Sequence, residues 1–168
     1  MDEKALVKQA VKGDKNAFAQ LYMLYRDRLY RYAYFKLGDP DDAQDAASEC
    51  ITAAFRNISS LKNEKTFEAW IFRILYRCCC ALIRRRMIER ENKSADTREQ
   101  AVSFENNILA AELKEALAQL DETDRDIVLL SAEAGFNSRE IGDMLGMKPS
   151  TVRSRLSRSL SKMKEFLR

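Results

Sequence analysis

Three features of this 168-residue sequence predict an all-α protein. Glycine and proline are scarce, five and two, too few for the turns of an all-β chain. No stretch sustains the apolar-polar alternation of a half-buried strand. Apolar residues recur instead at three- and four-residue spacing, as on one face of a helix. The expected architecture is two small helical domains, 1–86 and 108–168, joined by a flexible polar linker, 87–107, with a helix-turn-helix in the second domain.

The first helix, Asp2 to about Gly13, is short and amphipathic. The second, Asn16–Leu37, is aromatic-rich, with Phe18, Leu21, Tyr22, Tyr25, Leu29, Tyr32 and Ala33 at helical spacing. Gly38-Asp39-Pro40 separates it from the third. That helix opens with Asp39, Asp41, Asp42, Asp45 and Glu49 and no cation among them. Capping and the helix dipole account for Asp39 to Asp42. They account less well for Asp45 and Glu49, which lie one turn apart with Asp42 nearby. These three make an acidic ridge suited to a basic partner, the alternative being a solvated face.

The fourth helix is predicted over Thr66–Arg86. Ile71, Ile74, Leu75, Cys78 and Leu82 share the face expected to be buried. Trp70, Arg73, Arg77 and Arg84 share the opposite face, with Tyr76 at its edge. Aromatics interleaved with arginines suit single-stranded nucleic acid, because bases stack on rings while cations hold the backbone. Lys62 and Lys65 add charge in the preceding loop. Against this stands the plainer reading of a packed Trp70 and solvated arginines.

Residues 87–107 are polar, with five acidic and three basic side chains and no sustained apolar period, and read as a mobile linker with room for some helix. The 86 residues before it carry a net charge of +5 and the 61 after it a net charge of zero.

The C-terminal segment carries the helix-turn-helix pattern. Asn137 or Ser138 can cap a helix whose Glu140 completes the capping signature. Ile141, Met144 and Leu145 give it one apolar stripe. Gly146 suits the left-handed residue that ends a helix, and Pro149 the first position of the next. On that last helix Val152, Leu156, Leu160, Met163 and Leu167 form the apolar stripe. Ser150, Ser154, Ser157, Arg158 and Ser161 lie opposite, flanked by Arg153 and Arg155. Hydroxyl residues let a helix approach base edges, and arginines beside them bond guanine or pin phosphates. Lys148–Arg168 holds seven basic residues and one acidic, which fits a major-groove reader; a solvated amphipathic helix is the alternative.

Composition narrows the chemistry. The net charge is only +3, so basicity is local. No signal peptide and no run of about 20 apolar residues is present, so a cytoplasmic protein without stable membrane insertion is expected. Histidine is absent, and Cys50, Cys78, Cys79 and Cys80 form no C-x-x-C pair. Neither a catalytic site, a metal site nor a cofactor is expected. The cysteines read as filler, with redox sensing through Cys80 as the alternative.

Taken together, GDKNAFAQLYMLYRDRLYRYA, GDPDDAQDAASECITAAFRNI, FEAWIFRILYRCCCALIRRR and the segment from LDETDRDIVLL through EIGDMLGM to TVRSRLSR resemble an extracytoplasmic-function (ECF) RNA polymerase sigma factor over nearly the whole chain. The resemblance implies an all-α specificity subunit, not itself an enzyme, that binds core polymerase and directs initiation at its own promoters. It implies that Asp42, Asp45 and Glu49 dock on the polymerase clamp. It implies that the helix of Trp70, Ile74 and Arg84 meets the melted downstream promoter element, where Arg73, Tyr76 and Arg77 on the same helix and Lys62 in the loop before it would add contacts. Ser150, Thr151, Val152, Arg153, Ser154, Arg155, Leu156 and Arg158 would then lie on the helix that reads the upstream duplex. The linker would thread the polymerase's active-site and RNA-exit path, and an anti-sigma factor, commonly membrane-bound, would mask both domains. Arg77, Ala81, Ser48, Asp121 and Lys148 stand where that family often has Asn, Asp, Gln, Pro and Ser; the first two bear on the downstream-element preference. The alternative function is a helix-turn-helix regulator that acts without docking on polymerase.

Overall fold

A computed structural model describes residues 2–92 and 108–168. Every regular element among them is helical: α1 (Glu3–Val11), α2 (Lys15–Leu37), α3 (Pro40–Asn57), α4 (Phe67–Asn92), α5 (Ile108–Ala118), α6 (Glu122–Ala132), α7 (Ser138–Leu145) and α8 (Pro149–Phe166), with short 3-10 turns at Ile58–Ser60 and Glu64–Thr66. The chain divides into two compact units, 1–101 and 102–168. Because α4 continues to Asn92, residues 87–92 of the polar segment are helical; the rest of the predicted linker lies outside the described residues. No described helix is long and apolar enough to cross a membrane.

In the first unit α2 is the central element. Asp14 caps it, accepting from Asn16 N at 2.9 Å and Ala17 N at 3.1 Å. Its predicted stripe is buried throughout except for half-exposed Tyr22. Gly38 ends it in the left-handed region, φ 74°. Asp39 then caps α3 by accepting from Asp42 N at 2.9 Å, with Pro40 in the first helical turn. The buried face of α3 is small: Ala43, Ala46, Cys50 and Ala54. Small residues there let α2 and α4 pack close on either side.

The buried seam of α4 is Phe67, Ile71, Phe72, Leu75, Cys79 and Leu82. This corrects the predicted stripe: Ile74 and Cys78 are only half-buried, while Phe72 and Cys79 take the interior. Aromatic packing explains the rotation. Phe72 meets Tyr32 edge-on at 6.1 Å, and Phe67 meets Tyr25 at 5.3 Å, so the seam turns toward the rings of α2.

The second unit packs α5 to α8 around Leu117, Leu120, Ile127, Leu130, Phe136, Ile141, Val152 and Met163. Arg125 fixes the α5–α6 turn, donating to the carbonyls of Leu117 and Leu120, both at 3.1 Å. These are carbonyls at the helix end, where the regular ladder stops; Leu117 O also accepts from Leu120 N at 3.1 Å. Asp121 caps α6 through Asp124 N at 2.7 Å. Asn137 and Glu140 form the reciprocal capping box of α7, at 2.9 and 2.8 Å. Gly146, φ 69°, ends α7, and Pro149 starts α8 two residues beyond Met147.

Candidate functional site

The α7–turn–α8 unit presents α8 as predicted in outline, with two corrections. Val152, Ser159 and Met163 are buried and Leu156 is half-buried, but Leu160 and Leu167 are 48% and 42% exposed. The interior line at positions 152, 156, 159 and 163 follows three- and four-residue steps, and placing Leu160 on it rotates the helix by about 100°. The outward face holds Ser150, Thr151, Arg153, Ser154, Ser157, Arg158 and Ser161, all exposed. Ser154 Oγ donates back to Ser150 O at 3.1 Å, which keeps the side chain short and close to the helix.

Arg155 departs from its predicted place. Its Nε donates to Asp124 Oδ1 at 2.7 Å and its Nη2 to Asp121 Oδ2 at 3.1 Å. With 26% of its side chain exposed, it braces α8 against the start of α6 rather than standing free at the outer face. Asp121 and Asp124 were the residues that sequence reasoning missed. Two carboxylates open α6 and an arginine stands on the flank of α8, but the 31 residues between Asp124 and Arg155 leave no sequence signal that they pair.

In the first unit the candidate melted-strand residues lie along one helix. Arg77 and Arg84 are exposed; Trp70, Arg73 and Tyr76 are half-buried; Lys62 is exposed in the loop before α4. Trp70 leans on Phe67 at 5.9 Å between ring centroids, so the ring has a packed edge and an accessible one. Tyr76 lies over the ammonium of Lys36 at 5.1 Å. Lys36 is 7% exposed, a buried cation from α2 that lies beneath the predicted surface and that its sequence context did not signal.

The acidic ridge is not a free surface either. Arg86 donates to Asp42 Oδ1 through Nε at 3.0 Å and Nη2 at 2.8 Å, and lies 3.6 Å from Asp45. Arg85 meets Glu49 at 2.8 Å. The ridge residues are thus brought together as predicted, but the C-terminal end of α4 is laid against them. Asp42, 21% exposed at its side chain, is the most enclosed; Asp45 and Glu49 are 57% and 43% exposed.

Burial pushes the Cys50 thiol well above its ordinary range, helped by neighbouring Cys78 and Cys79, and Cys78 is raised for the same reason and by Glu49. Raised thiols are poor nucleophiles. No group of three or more metal-binding side chains occurs among the described residues.

Residues 21–87 match the family described as Sigma-70 region 2, and residues 110–163 match Sigma-70, region 4. The ECF RNA polymerase sigma factor ShbA of Streptomyces griseus is 31% identical over 95% of this chain and 92% of its own length. The chain belongs to the ECF RNA polymerase sigma factors. SigW of Bacillus subtilis, from the same family, is 27% identical and covers 98% of this chain and 96% of its own length. In fold, the chain is similar to CnrH solved with the cytosolic domain of CnrY, with TM-score 0.73, 23% identity, and coverage of 98% and 96%. It is likewise similar to RpoE solved with the anti-sigma factor NepR from Bartonella quintana, with TM-score 0.72, 23% identity, and coverage of 89% and 96%. As an ECF sigma factor it serves transcription initiation by RNA polymerase. The region 2 match accounts for the first unit, which a regulator acting through the helix-turn-helix alone leaves unexplained.

Proposed function

We propose that the two units divide the promoter between them. In the second, α8 enters the major groove of the upstream element, with Ser150, Thr151, Arg153, Ser154 and Arg158 toward the DNA. Arg155 supports the helix from behind through Asp121 and Asp124 and reaches DNA only if that clasp opens. In the first, Lys62, Trp70, Arg73, Tyr76, Arg77 and Arg84 meet the melted downstream strand. Asp42, Asp45 and Glu49 form the docking ridge for the polymerase clamp. The observation that carries this reading is the exposed hydroxyl-and-arginine face of α8 over a buried Val152, Ser159 and Met163. Catalysis stays with the polymerase. The protein acts in the cytoplasm, and an anti-sigma factor restrains it, a reading supported by the complex of RpoE, a protein of similar fold, with the anti-sigma factor NepR.

The test is transcription by a sigma-free bacterial core polymerase on genomic fragments, with and without the purified chain. Discrete start sites sharing an upstream motif are expected. Asp45→Arg should abolish them while duplex binding persists. Retained initiation by that variant would remove the ridge from the docking surface.

A further inference from the structure

The last turns of α4 reach past the core. Leu82, 3% exposed, is the last buried side chain of that helix among the described residues. Beyond it Ile83 and Arg86 are half-buried, and residues 84, 85 and 87–91 are exposed. A helix end with so little buried apolar surface belongs to the low-stability part of a fold, and it moves at small cost.

What this end does carry is charge. Arg86 donates twice to Asp42 and lies 3.6 Å from Asp45, and Arg85 Nη2 donates to Glu49 Oε1 at 2.8 Å. Every carboxylate of the ridge therefore has a guanidinium of its own chain within ion-pair range. Two guanidiniums against three carboxylates leave one net negative charge on a surface that would otherwise offer three. The two arginines are not equivalent. Arg86 shares an enclosed corner with Asp42, whereas Arg85 and Glu49 keep about half of their side chains in solvent. An exposed pair shifts an equilibrium by a factor of about five at most, so a competing cation opens it readily.

We propose that Arg85 is a self-mask on the docking ridge: in the free protein it holds Glu49, and a basic side chain of polymerase takes its place on docking. This rests on the reading of Asp42, Asp45 and Glu49 as that ridge. Arg86 is the anchor that keeps the end of α4 against it. Arg85 opposes docking in two ways, by occupying a carboxylate and by repelling the incoming cation. It thereby sets affinity for core polymerase from within the sigma factor's own chain. The sequence carries no motif for the mask, because the paired residues are 36 positions apart.

The experiment measures binding of the full chain to sigma-free bacterial core polymerase at low and at high salt. Arg85→Gln should bind about threefold to fivefold more tightly, the worth of an exposed pair, with the gain shrinking as salt rises. A merely structural arginine predicts no gain. Arg85→Lys keeps the charge and should bind as the parent does. Glu49→Gln should weaken binding, and adding Arg85→Gln to it should give no further gain, because the pair is already gone. Both side chains are exposed, so folding is retained and thermal melts confirm it. If Glu49→Gln weakens binding but Arg85→Gln leaves it unchanged or weakens it too, the mask is overturned and the ridge stands. A gain that persists in the Glu49→Gln background would make Arg85 a general like charge and overturn the pairing. If Glu49→Gln binds core as the parent does, the ridge reading fails at Glu49 and the mask falls with it.

Discussion

The placement of α8 depends on Gly142, and Gly142→Ala tests it. A methyl group there would lie 2.5 Å from Met147 O and 3.6 Å from Pro149 N, both main-chain atoms. The carbonyl has little freedom to move, because Met147 N donates to Gly142 O at 2.9 Å and the proline ring two residues on fixes its own φ. Alanine gains about 1 kcal/mol over glycine inside a helix. A 2.5 Å approach to a backbone oxygen puts overpacking at the upper end of its usual range, about 2–3 kcal/mol, so a net loss of about 1–2 kcal/mol is expected. For a unit of this size that lowers its melting temperature by roughly 5–15 °C. The sole tryptophan, Trp70, and all six tyrosines lie in the first unit, so tryptophan fluorescence follows that unit alone. The second is read from the circular dichroism transition that fluorescence does not share. Gly146 provides the contrast. Its Cβ space is open and only its φ of 69° is demanding, so Gly146→Asn should be nearly neutral. A Gly142→Ala protein whose second unit melts at or above the parent temperature would refute the steric argument and the turn geometry with it.

Further outcomes are expected. Arg153→Ala and Arg158→Ala should each weaken promoter binding by about 1–3 kcal/mol, selectively where the arginine bonds a base and uniformly across sequences where it bonds phosphate; competition against mutated duplexes separates the two. Arg155→Ala should instead lower the melting temperature of the second unit, and a variant with full stability but weakened binding would return Arg155 to the DNA surface. The buried Cys50 thiol titrates above its ordinary value of 9.0, so its contribution to first-unit stability is complete below about pH 9 and declines as pH rises beyond it. Cys50→Ala should lessen the decline between about pH 9 and 10, a window below the ordinary value of 10.0 from which the raised Tyr25 begins to contribute, and leave the part due to Cys78, also raised. An unchanged decline in unfolding midpoint would clear Cys50.

Local rules made the helices legible. Asp14, Asp39, Asp121 and Asn137 each cap where a short polar side chain precedes an apolar period, and Gly38 and Gly146 end helices in the left-handed region. What the pattern could not supply was rotation about a helix axis. A stripe of Ile74 and Cys78 is as good by period as one of Phe72 and Cys79; the choice belongs to the rings of Tyr32 and Tyr25 on another helix. The same holds for Leu160 against Ser159, where hydropathy favours the wrong neighbour. Long-range charge pairing was invisible for a related reason. Arg155 and Asp124 are 31 residues apart, and Arg86 and Asp42 are 44 apart, so only the fold brings them together.

That pairing divides the acidic ridge into two roles and leads to a final prediction. Asp42 accepts two bonds from Arg86 at 2.8 and 3.0 Å and is the more enclosed, whereas Asp45 has only a 3.6 Å approach and is largely exposed. Asp42→Asn takes one of two close carboxylates from a half-buried guanidinium that keeps Glu89 at 2.9 Å, and should cost the first unit about 1 kcal/mol, the upper end of what an exposed pair is worth. Asp45→Asn should leave stability within about 0.5 kcal/mol, as exposed substitutions do. For polymerase the order should reverse, because a docking partner can only use charge that faces it: Asp45→Asn should slow association with core, and more so at low salt. Asp42→Asn, assayed below its unfolding transition, should change association little. Thermal melts and association kinetics on the same two proteins decide the matter. Equal effects of the two substitutions on both readouts would mean that the ridge acts as one undivided patch and that the Arg86 clasp does not shape what polymerase meets.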